Sequence, residues 1–135
     1  MTLMNVLPAL APALAATINA GTPLMLAAFG LLLNEKSGVL NLGAEGMMLV
    51  AAIAGFAVTV ATGSSTLGFA AGAAAGALSA AFFGWMVLWL GTNQYATGLA
   101  LSIFGGGVSA FVGIPYAGMS LHPGVTPIPL LSALP

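Results

Sequence analysis

The chain has 135 residues, of which 60% are hydrophobic and 2% are charged, and its formal net charge is −1. A soluble domain carries about 25% charged residues, so this composition excludes a water-exposed globular surface and indicates an integral membrane protein. With one basic residue and no cysteine, the chain cannot capture nucleic acid through its phosphates, and disulfides and thiolate metal sites are excluded.

The first apolar stretch, residues 3–33, is longer than the roughly 20 residues that a spanning helix needs. Three prolines lie inside it. Each removes a backbone donor and crowds the preceding helical turn, which favours a division of the stretch. The sequence therefore predicts an interfacial helix at 3–19, a break at 21–23 and a first span at 22–33.

Three further apolar runs predict spans at 46–62, 66–90 and 95–114, which gives an all-α protein with about four spans. The run at 46–62 is at the short limit for a span, and it becomes long enough only if part of 39–45 also lies at membrane depth. We therefore interpret the whole of 1–135 as a single transmembrane region.

The end of the chain, residues 115–135, contains five prolines and cannot form one regular helix. We expect it to be an extramembrane loop or the approach to a further span. His122 is the single histidine of the chain, and we interpret it as a solvated loop residue. No metal site is predicted.

Small residues recur every fourth position in the run at 66–90 and would form one strip along the helix. Lipid provides no hydrophobic drive for helix association, so helices in membranes pack closely through such strips. We therefore predict a helix-packing face. Its glycines are Gly68, Gly72, Gly76 and Gly84.

Residues 34–48, with the sequence NEKSGVLNLGAEGMM, contain every charged residue of the chain. Glu35 and Lys36 fit a solvated turn at the membrane surface. Glu45 directly precedes a long apolar helix, so its carboxylate can interact with the positive end of the helix dipole. Two roles stay open for it: an anchor at the interface, or a polar group that lines a substrate path.

Broken helices that point into a cavity recur in transporters. We therefore expect residues of this break to line a substrate path or to form the break itself. The candidates are Asn41, Gly43, Glu45 and Gly46. A further glycine group at 105–107 is expected to be flexible or path-lining backbone, since three glycines weaken a helix by about 1 kcal/mol each.

These residues carry a family resemblance. Residues 34–48 resemble the ERSGVxNxGxEGMM signature of bacterial ABC importer permeases in the branched-chain amino acid/simple sugar permease superfamily. The nearest subgroup is the nucleoside/simple-sugar type. Residues 22–24 are similar to the start of its TPLLLAALG segment, and residues 93–101, NQYATGLAL, resemble its NQVVTGLAL segment. Together the three cover most of 20–115.

The resemblance implies a multi-pass permease subunit of the bacterial inner (plasma) membrane. Such a subunit takes up nucleosides, or a related small polar solute such as a simple sugar, by alternating access. It implies three partners: a cytoplasmic ABC ATPase, a second permease subunit and an extracellular substrate-binding lipoprotein. ATP hydrolysis would reside in the ATPase, so neither catalytic residues nor a cofactor are expected here. Family members are considerably longer, so the chain resembles their N-terminal portion.

Two other classes of protein compete with the permease as interpretations of this sequence. A small homo-oligomeric channel or assembly protein would use the glycine strip for self-association. An intramembrane enzyme is disfavoured, because the two glutamates lie ten residues apart and the single histidine lies in the proline-rich end.

Overall fold

The structure, a computed structural model, describes residues 3–119, with side chains described for residue 10 and from residue 12 onward. Its helices in chain order are α1 (Leu3–Lys36), α2 (Ala44–Thr62), α3 (Ser65–Gly84) and α4 (Gln94–Gly113); a π-helical turn (Trp85–Trp89) continues α3, and a 3-10 turn (Ile114–Tyr116) follows α4. The described residues contain no strand. The predicted all-α fold is therefore confirmed.

Four stretches of the described chain are long and apolar enough to cross a membrane. They are Pro12–Lys36, Ala44–Thr62, Ser65–Trp89 and Gln94–Tyr116. The last three lie close to the predicted spans. The chain divides into two compact units after Leu40, so that α1 belongs to the first unit and α2, α3 and α4 belong to the second.

The first unit differs from the prediction. α1 runs as one helix of 34 residues, so the predicted break at 21–23 is wrong. Pro23 removes one backbone hydrogen bond, but the hydroxyl of Thr22 donates to the carbonyl of Ile18 at 2.7 Å in the adjoining turn. In apolar surroundings a chain that leaves the helix loses its backbone hydrogen bonds without gaining water, so one proline does not end it. The interfacial placement of 3–19 stays a prediction.

Within the second unit, α2 and α3 form a helical hairpin. Gly63 ends α2 with a left-handed φ of +69°, and its N–H donates to the carbonyl of Thr59 at 2.8 Å. Ser64 then caps α3, since its hydroxyl accepts a hydrogen bond from the N–H of Leu67 at 3.4 Å. Two residues therefore suffice to reverse the chain between the helices.

The turn between α3 and α4 is wider. In the π-helical turn the N–H of Leu90 reaches back five residues to the carbonyl of Trp85 at 3.3 Å. The hydroxyl of Thr92 donates to the carbonyl of Met86 at 2.9 Å, which satisfies a carbonyl at the helix end. Asn93 then caps α4, with its side-chain oxygen accepting hydrogen bonds from two backbone N–H groups.

α2 packs against both α3 and α4 in the second unit. Among the described residues of this unit, few apolar side chains are buried, namely Met47, Phe83 and Leu101. Most large apolar side chains of the described residues are exposed, as lipid-facing side chains are. The helices are held together mainly by close approach of their backbones, which requires glycine.

The contact between α2 and α3 is made through glycines on both helices. A Cβ built on Gly72 would lie 3.0 Å from the carbonyl oxygen of Ala51 and 3.6 Å from the Cα of Gly55. One built on Gly68 would overlap the hydroxyl of Thr59. Nothing lies within 4 Å of the corresponding position on Gly84. The strip therefore contacts α2 over its first part and not at its far end.

This contact can be tested by an engineered disulfide. A Cβ on Gly76 would lie 3.5 Å from the Cβ of Ala51, within the range of about 3.5–4.5 Å that disulfides require. The chain has no cysteine of its own. We expect the Ala51→Cys/Gly76→Cys variant to form a disulfide on mild oxidation, measured as loss of labelling by a maleimide-linked polymer. The Ala51→Cys/Gly84→Cys variant is the control, and equal labelling of both would contradict the packing.

Candidate functional site

The candidate site is the junction segment, residues 41–46, which leads into α2 and contains all four residues proposed for the break. Its local structure starts with Asn41. The side-chain oxygen of Asn41 accepts a hydrogen bond from the N–H of Gly43 at 2.9 Å. Its amide nitrogen lies 3.7 Å from the sulfur of Met47, as a weak donor. Asparagine commonly forms such a turn with the backbone two residues on, and here the turn sets the start of α2.

The junction segment lies against one face of α4, formed by Gly98, Ser102 and Gly105. These residues are four and three positions apart, so they share one side of the helix. A Cβ on Gly98 would lie 2.9 Å from the backbone nitrogen of Leu42, and one on Gly105 would lie 2.5 Å from the Cα of Gly46. Any side chain larger than hydrogen at these two glycines would therefore separate the segment from α4.

The glycines of the junction segment, Gly43 and Gly46, are in turn in close contact with this face of α4. A Cβ on Gly46 would lie 2.6 Å from the Cα of Ser102, and one on Gly43 would lie 3.1 Å from the carbonyl oxygen of Gly98. Both junction glycines are buried. In the second unit these glycines allow close packing of two backbones, and their place beside a substrate path stays a prediction.

A side-chain hydrogen bond from Ser102 joins the junction segment to α4. The hydroxyl of Ser102 donates to the carbonyl of Leu42 at 2.8 Å, across 60 positions of sequence. Contacts between glycine backbones depend only weakly on how the two surfaces are aligned, whereas a hydrogen bond requires a defined distance and angle. This bond therefore specifies the register of the segment along α4.

Glu45 has different surroundings from the glycines beside it. It lies in the first turn of α2 and is exposed in the second unit. The N-terminal end of a helix carries a partial positive charge, which stabilises a nearby carboxylate. An exposed carboxylate in a fixed position can accept hydrogen bonds from the hydroxyl or amino groups of a polar solute. Among the described residues, no group of three or more His, Asp or Glu could hold a metal ion.

The sequence analysis did not identify Gly98 and Ser102 as site residues, although both lie in the predicted span at 95–114. The sequence predicts flexible or path-lining backbone for the three glycines at 105–107. The structure gives them different surroundings: Gly105 contacts Gly46, whereas nothing lies within 4 Å of a Cβ on Gly107. The spacing of small residues at i, i+4 and i+7 along α4 was the signal that would have found the packing face.

A groove of about 320 Å³ lies between the end of α3 and α4. Its lining is apolar apart from Thr97, whose hydroxyl donates to the hydroxyl of Thr92 at 2.9 Å. Leu101 lines this groove and also lies beside Gly43, with 3.2 Å between its Cδ2 and a Cβ built there. The groove offers a polar solute little to bind, so it is not part of the candidate site.

Comparison with known proteins identifies the family to which the chain is similar. Residues 13–128 match the family model described as the branched-chain amino acid transport system permease component. The chain is also 47% identical over 98 residues to the "Putative glucose ABC transporter permease protein TsgC13" of Haloferax volcanii, a match that covers 73% of this chain and 30% of the relative. The chain thus spans about a third of that relative's length. No solved structure is significantly similar.

Two of the three segments that carry the resemblance, 34–48 and 93–101, contribute the two sides of the contact between Gly43 and Gly98. The family match and the four spanning-length stretches among the described residues indicate a multi-pass protein of the plasma membrane. The chain therefore belongs to the branched-chain amino acid and sugar permease family of ABC transporters.

Proposed function

We propose that this chain is the permease subunit of an ABC importer, or a part of that subunit, and that it takes up a sugar or a related small polar solute. The observation that carries the proposal is the junction segment. It is a break between two spanning-length helices, it holds an exposed carboxylate, and it is fixed by packing against α4. Broken helices with a polar group at the break are a recurring feature of transporter paths.

The solute class is proposed from two sources. The relative in Haloferax volcanii is named for glucose, and the motifs of residues 34–48 resemble the nucleoside/simple-sugar subgroup. Sugars and nucleosides both present several hydroxyl groups, which a carboxylate such as that of Glu45 binds as an acceptor. We place the hexose class first and nucleosides second.

The partners follow from the same family. We propose a cytoplasmic ABC ATPase, a second permease subunit and a substrate-binding lipoprotein that delivers the solute. In this arrangement ATP hydrolysis by the ATPase drives alternating access, and the chain itself is a transport subunit and not an enzyme. The polar solute would cross beside Glu45, because the glycines of the junction segment are buried against α4.

The competing proposal, a small homo-oligomeric channel, needs a free glycine face for self-association. The structure uses much of that face inside the chain, since Gly68 and Gly72 both lie against α2 near Gly55. The glycine strip therefore supports the permease over the channel. Crosslinking of the chain expressed alone tests the same point, and a homo-oligomer that forms without ATPase or sister subunit would favour the channel.

Uptake is the test of Glu45. In cells that express the chain with its full operon, we expect uptake of radiolabelled glucose that stops when the ATPase partner carries an inactivating substitution. We expect Glu45→Ala to reduce uptake by at least about tenfold, because loss of a charged hydrogen-bond acceptor costs about 1.5–3 kcal/mol. Glu45→Gln keeps the size and one acceptor oxygen, so a smaller loss is expected.

The controls identify the solute and the role of the carboxylate. Uptake of a radiolabelled nucleoside is measured in parallel, and uptake of the nucleoside but not of glucose would reverse the order of the two solute classes. Glu35→Gln is the matched control, since Glu35 is an exposed glutamate of the first unit that lies outside the junction segment. Normal uptake by both Glu45 variants would remove Glu45 from the path.

A further inference from the structure

We infer that Ser102 is a positioning residue for transport: its hydroxyl fixes the junction segment on α4 and so determines where Glu45 lies. The inference rests on the proposed function and deepens it, since it assigns a role to a residue that need not touch the solute. It starts from the carbonyl of Leu42, which is the acceptor of the Ser102 hydrogen bond.

The carbonyl of Leu42 lies just outside the hydrogen-bond ladder of α2. The N–H of Met47 donates to the carbonyl of Gly43 at 3.0 Å, at the very start of the helix. Leu42 is one residue earlier, so it does not share in this bond. In apolar surroundings a carbonyl without a donor is costly, and Ser102 provides the donor at 2.8 Å.

The neighbours of Ser102 make this bond decisive for register. Gly98 and Gly105, on either side of it along α4, offer only backbone to the junction segment. Ser102 is the member of this face with a polar side chain. The hydroxyl of Ser102 therefore adds a directional contact to a face that otherwise meets the segment through glycine backbone.

The position of Leu42 on α4 affects the position of Glu45, because only two residues separate them. Leu42 precedes Glu45 by three residues, and the intervening Gly43 is held by Asn41 on one side and by α4 on the other. A shift of Leu42 along α4 therefore moves the first turn of α2 and its carboxylate. Displacement of a positioned group by about 1 Å can reduce a rate strongly even where no contact to the substrate is lost.

The experiment compares Ser102→Ala, which removes the hydroxyl, with Ser102→Thr, which keeps it. Ser79→Ala is the matched control, because the hydroxyl of Ser79 donates at 2.8 Å to the carbonyl of Ala75 in its own helix. Two readouts are used with the chain in its full complex. One is hydrogen exchange of the backbone amides in residues 41–47, and the other is the maximal rate and KM of glucose uptake.

For Ser102→Ala we expect exchange in 41–47 to rise about fivefold, the factor that corresponds to one hydrogen bond of average net strength. Exchange in 55–72 should not change. The maximal uptake rate should fall by a similar factor with KM unchanged, because the solute still binds but the path is misplaced. Ser102→Thr should restore both values, and Ser79→Ala should alter neither.

Three outcomes overturn the inference. Unchanged exchange in 41–47 would show that the hydroxyl does not hold the segment. Exchange that rises equally in 55–72 would show a general loss of packing. Normal uptake with raised local exchange would show that the position does not matter for transport. If the wild-type complex takes up neither hexose nor nucleoside, the proposed function fails, and the exchange data still decide whether Ser102 positions the segment.

Discussion

Replacement of Gly105 by alanine is expected to destabilise the protein by about 2 kcal/mol, because overpacking at the closest backbone contact costs up to about 3 kcal/mol and the helix propensity of alanine returns about 1 kcal/mol. A methyl group there would lie 2.5 Å from the Cα of Gly46 and would also overlap its carbonyl oxygen. Neither is the end of a flexible side chain, so α4 and the junction segment must move apart. The measurement is the denaturation midpoint of the purified protein in detergent micelles.

The same glycine run contains its own controls. Nothing lies within 4 Å of a Cβ on Gly107, and a Cβ on Gly106 would meet only the Cδ1 of Leu49 at 4.0 Å. Gly107→Ala should therefore be neutral or stabilising by up to about 1 kcal/mol, through helix propensity alone, and Gly106→Ala should lie between the two. If Gly105→Ala proves as stable as Gly107→Ala, the contact between α4 and the junction segment is not as described.

Replacement of Gly68 by alanine should have the second large effect, at about 1–3 kcal/mol of destabilisation. The added methyl group would overlap the hydroxyl of Thr59 and lie 2.8 Å from the carbonyl oxygen of Gly55. The hydroxyl of Thr59 donates to that carbonyl at 2.8 Å, so the methyl group and the hydroxyl compete for one space between α2 and α3.

A double-mutant cycle separates this competition from a general loss of packing. Thr59→Ala removes the hydroxyl, and in that background Gly68→Ala should cost about 1 kcal/mol less than it does alone, the size of coupling typical of residues in contact. The carbonyl of Gly55 stays in place, so the rescue is expected to be partial. Gly84→Ala is the control without a neighbour. Strictly additive effects of the Thr59 and Gly68 changes would contradict the contact.

The spans could be predicted from the sequence because long apolar runs admit few alternatives. The runs at 46–62 and 95–114 correspond to α2 (Ala44–Thr62) and α4 (Gln94–Gly113), with the boundaries within about two residues. The break at 21–23 was wrong because the local penalty of Pro23 was considered without the alternative open to the chain. Backbone groups that leave a helix can form hydrogen bonds with water, but they find no such partner in lipid.

Packing partners were harder to predict than packing faces. The four-residue spacing of small residues identified a face on α3, but it did not show that Gly55 lies opposite or that Gly84, in the same register, has no neighbour. Which glycine meets which depends on how the helices cross, and helical periodicity in one segment carries no information about this. The bond from Ser102 to Leu42 is of the same kind, since it joins residues 60 positions apart.

The two-residue turn at Gly63 and Ser64 also bears on how the protein is made. Because only two residues separate α2 and α3, the two helices are synthesised one directly after the other. Each carries the glycines through which it packs against the other. Spanning helices form first and associate afterwards within the bilayer, and segments synthesised earlier can associate earlier. The hairpin of α2 and α3 can therefore assemble before α4 is complete, and α4 then docks on the opposite side of α2.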